Sequence, residues 1–221
     1  VIDGTAAPPF RDRSDVHVWS ILVASCRNGG TARRQGERAA ARLAAREILA
    51  RYLGCRADEI AIERTAVGKP RLRDVEAASV SFSLSHCGGC AFVAVACGRS
   101  VGVDLERIRP VGDALALAGR FFGAREASAL ANLDPDDLRE AFFRMWARKE
   151  AYLKGLGGAV PAGLRRFETT TDPSGDPAIL STSLEARDRS AWVLRDLAAP
   201  LGYVAALAAE GPIGRVETLA L

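Results

Sequence analysis

Residues 80–86, Val-Ser-Phe-Ser-Leu-Ser-His, alternate apolar and polar side chains, the period of two that predicts a half-buried strand. Gly88-Gly89 then supplies a two-residue turn, and the apolar run 91–96 returns as the partner strand. Residues 16–24 (Val-His-Val-Trp-Ser-Ile-Leu-Val-Ala) are rich in β-formers and predict another strand. Residues 60–63 predict a short one. Residues 101–106, Val-Gly-Val-Asp-Leu-Glu, place Val101, Val103 and Leu105 on one face of a strand and Gly102, Asp104 and Glu106 on the other.

Helical spacing appears in two long stretches. Residues 32–53 are rich in Ala and Arg and stop at Gly54. In the second, Leu138, Phe142, Met145 and Leu153 share a face, the run Asp134-Pro135-Asp136-Asp137 supplies a start, and Gly155 with Gly157-Gly158 supplies a stop. Residues 113–119 and 124–133 read as short helical pieces. Residues 155–163 read as a mobile Gly-rich loop, and residues 164–171 and 191–209 as strands separated by a turn at 172–177. Strand, long helix and hairpin therefore occur twice. The expectation is an α+β fold of two similar subdomains, residues 1–100 and 101–221, related by a pseudo-twofold, each a mainly antiparallel sheet packed with a long helix.

Composition narrows the class. A chain of 221 residues with 48% hydrophobic and 26% charged residues has the make-up of a globular domain. A net charge of +3 does not point to a nucleic acid or a membrane surface, and no apolar run is long enough to span a bilayer. The first residues lack the basic start and apolar stretch of a signal peptide, so a cytoplasmic location is expected. Five cysteines are scattered; Cys87-Gly-Gly-Cys90 has half the spacing of a zinc site but no second pair, and reads as part of the hairpin turn.

Only three of the 30 basic residues are lysines: Lys69, Lys149 and Lys154. Arginine serves elsewhere for plain positive charge, whereas lysine is able to release its proton. Two of these lysines flank Glu150. Glu150 and Lys154, four residues apart, share a helix face, either as a surface ion pair or as a chemical pair. Asp104 and Glu106 repel unless a cation lies between them, and such oxygen ligands suit Mg²⁺. Arg34, Arg38, Arg42 and Arg46 recur every four residues, as a solvated face or as a ridge that meets phosphate. Gly68-Lys69-Pro70 reads as a turn presenting a lysine, and His86 ends its strand beside a turn.

Taken together, Gly68-Lys69-Pro70, Ser83-Leu84-Ser85-His86, Gly102-Val103-Asp104-Leu105-Glu106 and Trp146-Ala-Arg-Lys149-Glu150-Ala151-Tyr-Leu-Lys154 resemble, in order, the motifs of the Sfp-type 4′-phosphopantetheinyl transferases. The WxxKEAxxK form resembles the monomeric double-domain subclass. The resemblance implies Mg²⁺-dependent transfer of the phosphopantetheine arm of coenzyme A to a serine of an acyl or peptidyl carrier protein, releasing 3′,5′-ADP. Coenzyme A would lie in the cleft between the subdomains.

Carried over by residue, Asp104, Glu106 and Glu150 would hold Mg²⁺, with Mn²⁺ as the alternative ion. Glu150 would deprotonate the carrier serine, directly or through a metal-bound water, and Lys154 would neutralise or protonate the departing phosphate. Lys69 would meet the 3′-phosphate, Ser85 and His86 would touch the phosphates, and Arg42, or failing that Arg38, would stand near the 3′-phosphate. The resemblance further implies a monomer that meets an acidic carrier through the segment between Glu106 and Phe142 and the flank of the 155–163 loop, with Arg107, Arg109, Arg120 and Arg125 as steering charges. The other reading is a module that binds coenzyme A or a carrier without turnover.

Overall fold

The computed structural model describes residues 6–23, 31–66, 68–73, 79–157, 163–171, 176–184 and 189–221. The first half runs β1 (Val16–Leu22), α1 (Thr31–Leu53), β2 (Ile62–Arg64), β3 (Pro70–Leu72), β4 (Val80–Cys87) and β5 (Cys90–Cys97). The second runs β6 (Val101–Arg107), α2 (Ala114–Phe121), α3 (Ala124–Ala131), α4 (Pro135–Leu156), β7 (Phe167–Thr169), β8 (Ile179–Thr182), β9 (Trp192–Leu197), β10 (Tyr203–Glu210) and β11 (Val216–Ala220). In both halves the last strand of the hairpin lies in the middle: β5 pairs antiparallel with β1 and β4, and β10 pairs antiparallel with β6 and β9. This is the α+β plan expected, built twice.

The layers follow from the period-two alternation. Val16 and Val18 of β1, Phe92 and Ala94 of β5, Val101, Val103 and Leu105 of β6, and Ala205 and Leu207 of β10 meet as one core between the two sheets. Trp19 and Ile21, on the opposite face of β1, pack with Ala41, Ala45 and Ile48 of α1. On the far side, Ala206 and Ala208 of β10 pack with Phe142, Ala147, Ala151 and Tyr152 of α4. The order of layers is α1, sheet, sheet, α4. Burying a side chain of Val, Leu or Phe size contributes about 1.5–3 kcal/mol, so these three interfaces supply the main favourable term.

Two glycines set how closely α4 meets β6. A Cβ on Gly102 would lie 2.0 Å from the Ala151 carbonyl oxygen, and one on Gly155 would lie 2.5 Å from Cζ3 of Trp192. No larger residue fits at either position, and the helix settles directly on the strand. Gly155 is therefore an interior residue of α4 and not its stop. The helix runs on to Leu156 and is capped by Gly157 in the left-handed conformation, with φ 82°. Asp134 stands at the N-cap position, without a side-chain hydrogen bond to the helix, and Pro135 opens the first turn.

Other expectations need adjustment. Residues 164–166 form a 3-10 turn, and the strand after it is confined to Phe167–Thr169. Residues 158–162 of the expected mobile loop and 172–175 of the expected turn lie outside the described residues. Strands β3, β8 and β11 were not anticipated. β11 lies parallel to β1, so residues from the end of the chain complete the first sheet in the order β11-β1-β5-β4. The Gly88-Gly89 turn is as expected, with φ of 57° and 89°, and Cys87 and Cys90 flank it as free thiols.

Candidate active site

Three elements bring the candidate residues together. Strand β6 turns Asp104 and Glu106 towards α4, opposite to the core face of Val103 and Leu105. Helix α4 answers with Glu150 and Lys154, one turn apart. Strand β4, packed beside β6 through a hydrogen bond from the Val103 amide to Ser83 Oγ (3.0 Å), adds Ser85 and His86. Carboxylate oxygens of Asp104, Glu106 and Glu150 all lie within 4.8 Å of one another. They line a cleft of about 230 Å³ that also exposes Ser85, His86 and Lys154.

The bonds within the cluster fix its members. Asp104 is 1% exposed, and its Oδ1 accepts from Lys154 Nζ at 2.5 Å and from Ser85 Oγ at 2.8 Å. Lys154 Nζ also donates to Ser85 Oγ (3.0 Å) and lies 3.7 Å from Glu150 Oε2. Glu150 Oε1 accepts from the indole N–H of Trp146 at 2.7 Å. Trp146 itself is held by edge and tilted contacts with Phe121, Phe122 and Phe142. Ser85 thus bridges Asp104 of the acidic cluster and Lys154, and the i,i+4 pair of Glu150 and Lys154 sits in the cleft.

The charges do not balance. One ammonium faces three carboxylates, and burial together with this imbalance raises two of the carboxyls, Glu106 and Glu150. Burial, then the neighbouring Asp104 and Glu150, push the Glu106 carboxyl up to about 8. Burial and Asp104 push Glu150 up to about 7, against the pull of Lys154 and Trp146. Burial pulls the Lys154 ammonium down, but Asp104 and Glu150 outweigh it and hold the pKa above its ordinary value. Asp104 Oδ2 is buried and accepts no hydrogen bond, although a buried carboxylate oxygen normally has a partner. An all-oxygen donor set with an unpartnered buried oxygen and excess negative charge fits a hard divalent cation.

A larger cavity of about 720 Å³ adjoins the cleft, and His86 and Lys154 border both. Arg38, Arg42 and Arg46 of α1 line it together with Arg64 and Lys69, over an apolar floor that includes Ile62, Phe82 and Leu84. The arginine stripe, apart from exposed Arg34, therefore faces a cavity. Burial, then Arg38 and Arg64, lower the Arg42 pKa, and burial with Lys154 and Arg38 keeps His86 below its ordinary value. A pocket of this kind favours a ligand with an apolar body and phosphate groups. Lys69 reaches the cavity wall, but its Nζ donates to the carbonyls of Gly155 (2.7 Å) and Val101 (3.4 Å).

The two lysines that flank Glu150 separate here. Lys149 turns to the other side of α4, fully buried, and pairs with Glu126 at 2.7 Å, away from the cleft. Trp146 and Arg64 were not anticipated at the site. The tryptophan stands four residues before Glu150 on the same helix, so spacing alone contained the signal; the arginine depends on how β2 folds over α1. Arg107, Arg109, Arg120 and Arg125 are exposed, with Arg109 over the Phe143 ring and Arg120 over that of Phe121.

Comparison with known proteins bears on this arrangement. A family model described as the 4'-phosphopantetheinyl transferase superfamily matches residues 100–208, and one described as 4'-phosphopantetheinyl transferase, N-terminal, matches residues 33–98. The 4'-phosphopantetheinyl transferase HetI of Nostoc sp. is 39% identical over 167 residues, covering 75% of this chain and 67% of that protein. A putative 4'-phosphopantetheinyl transferase of Synechocystis sp. is 34% identical over 125 residues, covering 57% of this chain and 51% of that protein. The chain thus spans between half and two thirds of these relatives. A holo-(acyl-carrier-protein) synthase from Bacillus anthracis, solved with CoA, superposes with a TM-score of 0.41 at 17% identity, over 51% of this chain and 96% of that one. Among the described residues no helix is long and apolar enough to cross a membrane.

Proposed function

This chain belongs to the 4′-phosphopantetheinyl transferase superfamily, and from that premise we propose that it transfers the phosphopantetheine arm of coenzyme A to a serine of an acyl or peptidyl carrier protein. In this reading the WxxKEAxxK motif is that of the double-domain, Sfp-type subclass. The observation that carries the reading is the convergence of Asp104, Glu106 and Glu150 within 4.8 Å, beside Lys154 and at the mouth of an arginine-lined cavity.

Asp104, Glu106 and Glu150 are the residues to hold Mg²⁺, or Mn²⁺ in its place. Such an ion would supply neutralisation of the charge that develops on the pyrophosphate, the main requirement of phosphoryl transfer. The chain's own groups do the rest. The arginine-lined cavity takes the adenosine end, with Arg42 and Arg38 on its 3′-phosphate and His86 at the phosphates where cavity and cleft join. The carrier serine oxygen forms a bond to the phosphorus that bears pantetheine. The bond from that phosphorus to the bridging oxygen breaks, and 3′,5′-ADP departs. Glu150, oriented by Trp146, is placed to receive the serine proton. Lys154 meets the charge that appears on the leaving phosphate. Ser85 holds Lys154 and Asp104 in register.

The exposed arginines on the 107–125 segment meet an acidic carrier and raise its rate of encounter. The protein acts in this reading as a monomer in the cytoplasm. Incubation with coenzyme A, Mg²⁺ and a panel of apo carrier proteins, followed by mass spectrometry, tests it. The expected result is a carrier heavier by one phosphopantetheine and dependent on the divalent ion. Coenzyme A binding with no change in any carrier's mass would replace transfer by a binding role.

A further inference from the structure

Lys69 belongs to neither of the clusters formed by the two α4 lysines, Lys149 with Glu126 and Lys154 with Asp104 and Glu150, yet it reaches the point on which the site's geometry depends. It follows Gly68, whose φ of +89° turns the chain into β3, so it projects from the small β2–β3 sheet of the first half. Its Nζ donates to the carbonyl of Gly155 at 2.7 Å and to that of Val101 at 3.4 Å. Gly155 is the residue after Lys154. Val101 precedes Gly102, the residue that admits α4 onto β6, and stands three places before Asp104. The last carbonyls of a helix have no partner within it, and a cation there is favoured both by those acceptors and by the helix dipole. A lysine suits the task because its compact ammonium can serve separate acceptors at the end of a flexible stem.

We propose that Lys69 is a positioning residue, a clamp from the first half of the chain that ties the end of α4 to the head of β6 and so sets Lys154 against Asp104, while the 3′-phosphate is taken by Arg42 and Arg38. Swinging the ammonium onto a phosphate would leave both carbonyls without this donor. Burial, opposed by Glu210, lowers the lysine to about 8, as expected of a cation held inside the protein and not displayed to solvent. Arg38, Arg42 and Arg46 of α1, by contrast, are exposed along the cavity wall.

The kinetic arm of the test rests on the transfer activity proposed above. Lys69→Met and Arg42→Met are compared with the parent protein using coenzyme A and 3′-dephospho-coenzyme A as donors. Lys69→Met is expected to lower kcat about tenfold or more with both donors, the scale of a misplaced reactive group. It leaves the preference for coenzyme A in kcat/KM intact, whereas Arg42→Met removes that preference. A second arm needs no turnover: amide hydrogen exchange over residues 152–157 is expected to be faster in Lys69→Met than in the parent. Lys69→Gln, which keeps a neutral donor, gives an intermediate rate and serves if the methionine variant does not fold. Loss of donor preference in Lys69→Met, or unchanged exchange at the end of α4, overturns the clamp. If the parent transfers nothing, the proposed function fails, and the exchange arm still decides the role of Lys69.

Discussion

Helix α4 carries two lysines, Lys149 and Lys154, whose surroundings are opposite in kind. Lys149 is wholly buried, and each of its contacts is balanced: Nζ donates to Glu126 Oε2 at 2.7 Å, to Oε1 at 2.9 Å and to the Phe167 carbonyl at 2.6 Å. Glu126 Oε1 accepts in addition from the backbone and hydroxyl of Thr169. One cation meets one anion, and the pair stitches α3 and β7 to the helix. Lys154 is one cation among three carboxylates, one of whose oxygens is buried with no donor at all. The first cluster is complete as it stands. The second asks for more positive charge, and that imbalance distinguishes a site from a structural ion pair.

Substitution should separate the two clusters. Glu150→Gln removes a ligand and a proton acceptor from the unbalanced cluster; transfer is expected to fall by about 10³-fold or more, read by carrier mass against time. Its thermal unfolding should match or exceed that of the parent, because one of three mutually repelling carboxyls is gone. Lys149→Met breaks the balanced pair and leaves Glu126 buried without its counter-ion, a loss of about 3–5 kcal/mol in denaturant unfolding. The folded fraction should transfer at the parent rate. If the two effects were exchanged, with Lys149→Met inactive but stable, the division between the clusters would be wrong.

A smaller effect is expected from Trp146→Phe. The ring still packs among Phe121, Phe122 and Phe142, but the hydrogen bond to Glu150 is lost, and a bond to a charged group contributes about 1.5–3 kcal/mol. The turnover rate should drop by an amount within that range, with little change in KM for coenzyme A. A change confined to KM would place Trp146 in substrate binding and not in the orientation of Glu150.

The sequence was most legible where one physical signal dominated. Alternation gave β4 and the faces of Asp104 and Glu106 on β6, the Gly88-Gly89 turn gave β5, and helical spacing joined Glu150 to Lys154. It was least legible where tertiary contact decides the outcome. Gly155 looks like a helix stop, yet it continues the helix because Trp192 and Gly102 need the space its missing side chain leaves. Strand β11, Val-Glu-Thr-Leu-Ala, is short and carries little pattern; only the free edge of β1 makes it a strand. The hydroxyl of Ser85 and the ammonium of Lys69 point where neighbouring elements offer acceptors, and no local rule specifies that.

The central claim is that the cluster of Asp104, Glu106 and Glu150 is built to receive a divalent ion. Without one, Glu150 near 7 and Glu106 near 8 lie above the ordinary carboxyl value of 4.5. The ion-free protein therefore binds more protons folded than unfolded between those values, and its stability falls as the pH rises through that window. An ion must displace these protons, so its affinity should rise with pH up to about 8. The most direct test is calorimetric titration of the protein with Mg²⁺ at several pH values, in buffers that differ in ionisation enthalpy. The account predicts one bound ion, proton release at pH 7, tighter binding at pH 8 than at pH 6, and no binding by Asp104→Ala. Binding that is independent of pH and survives in Asp104→Ala would contradict it.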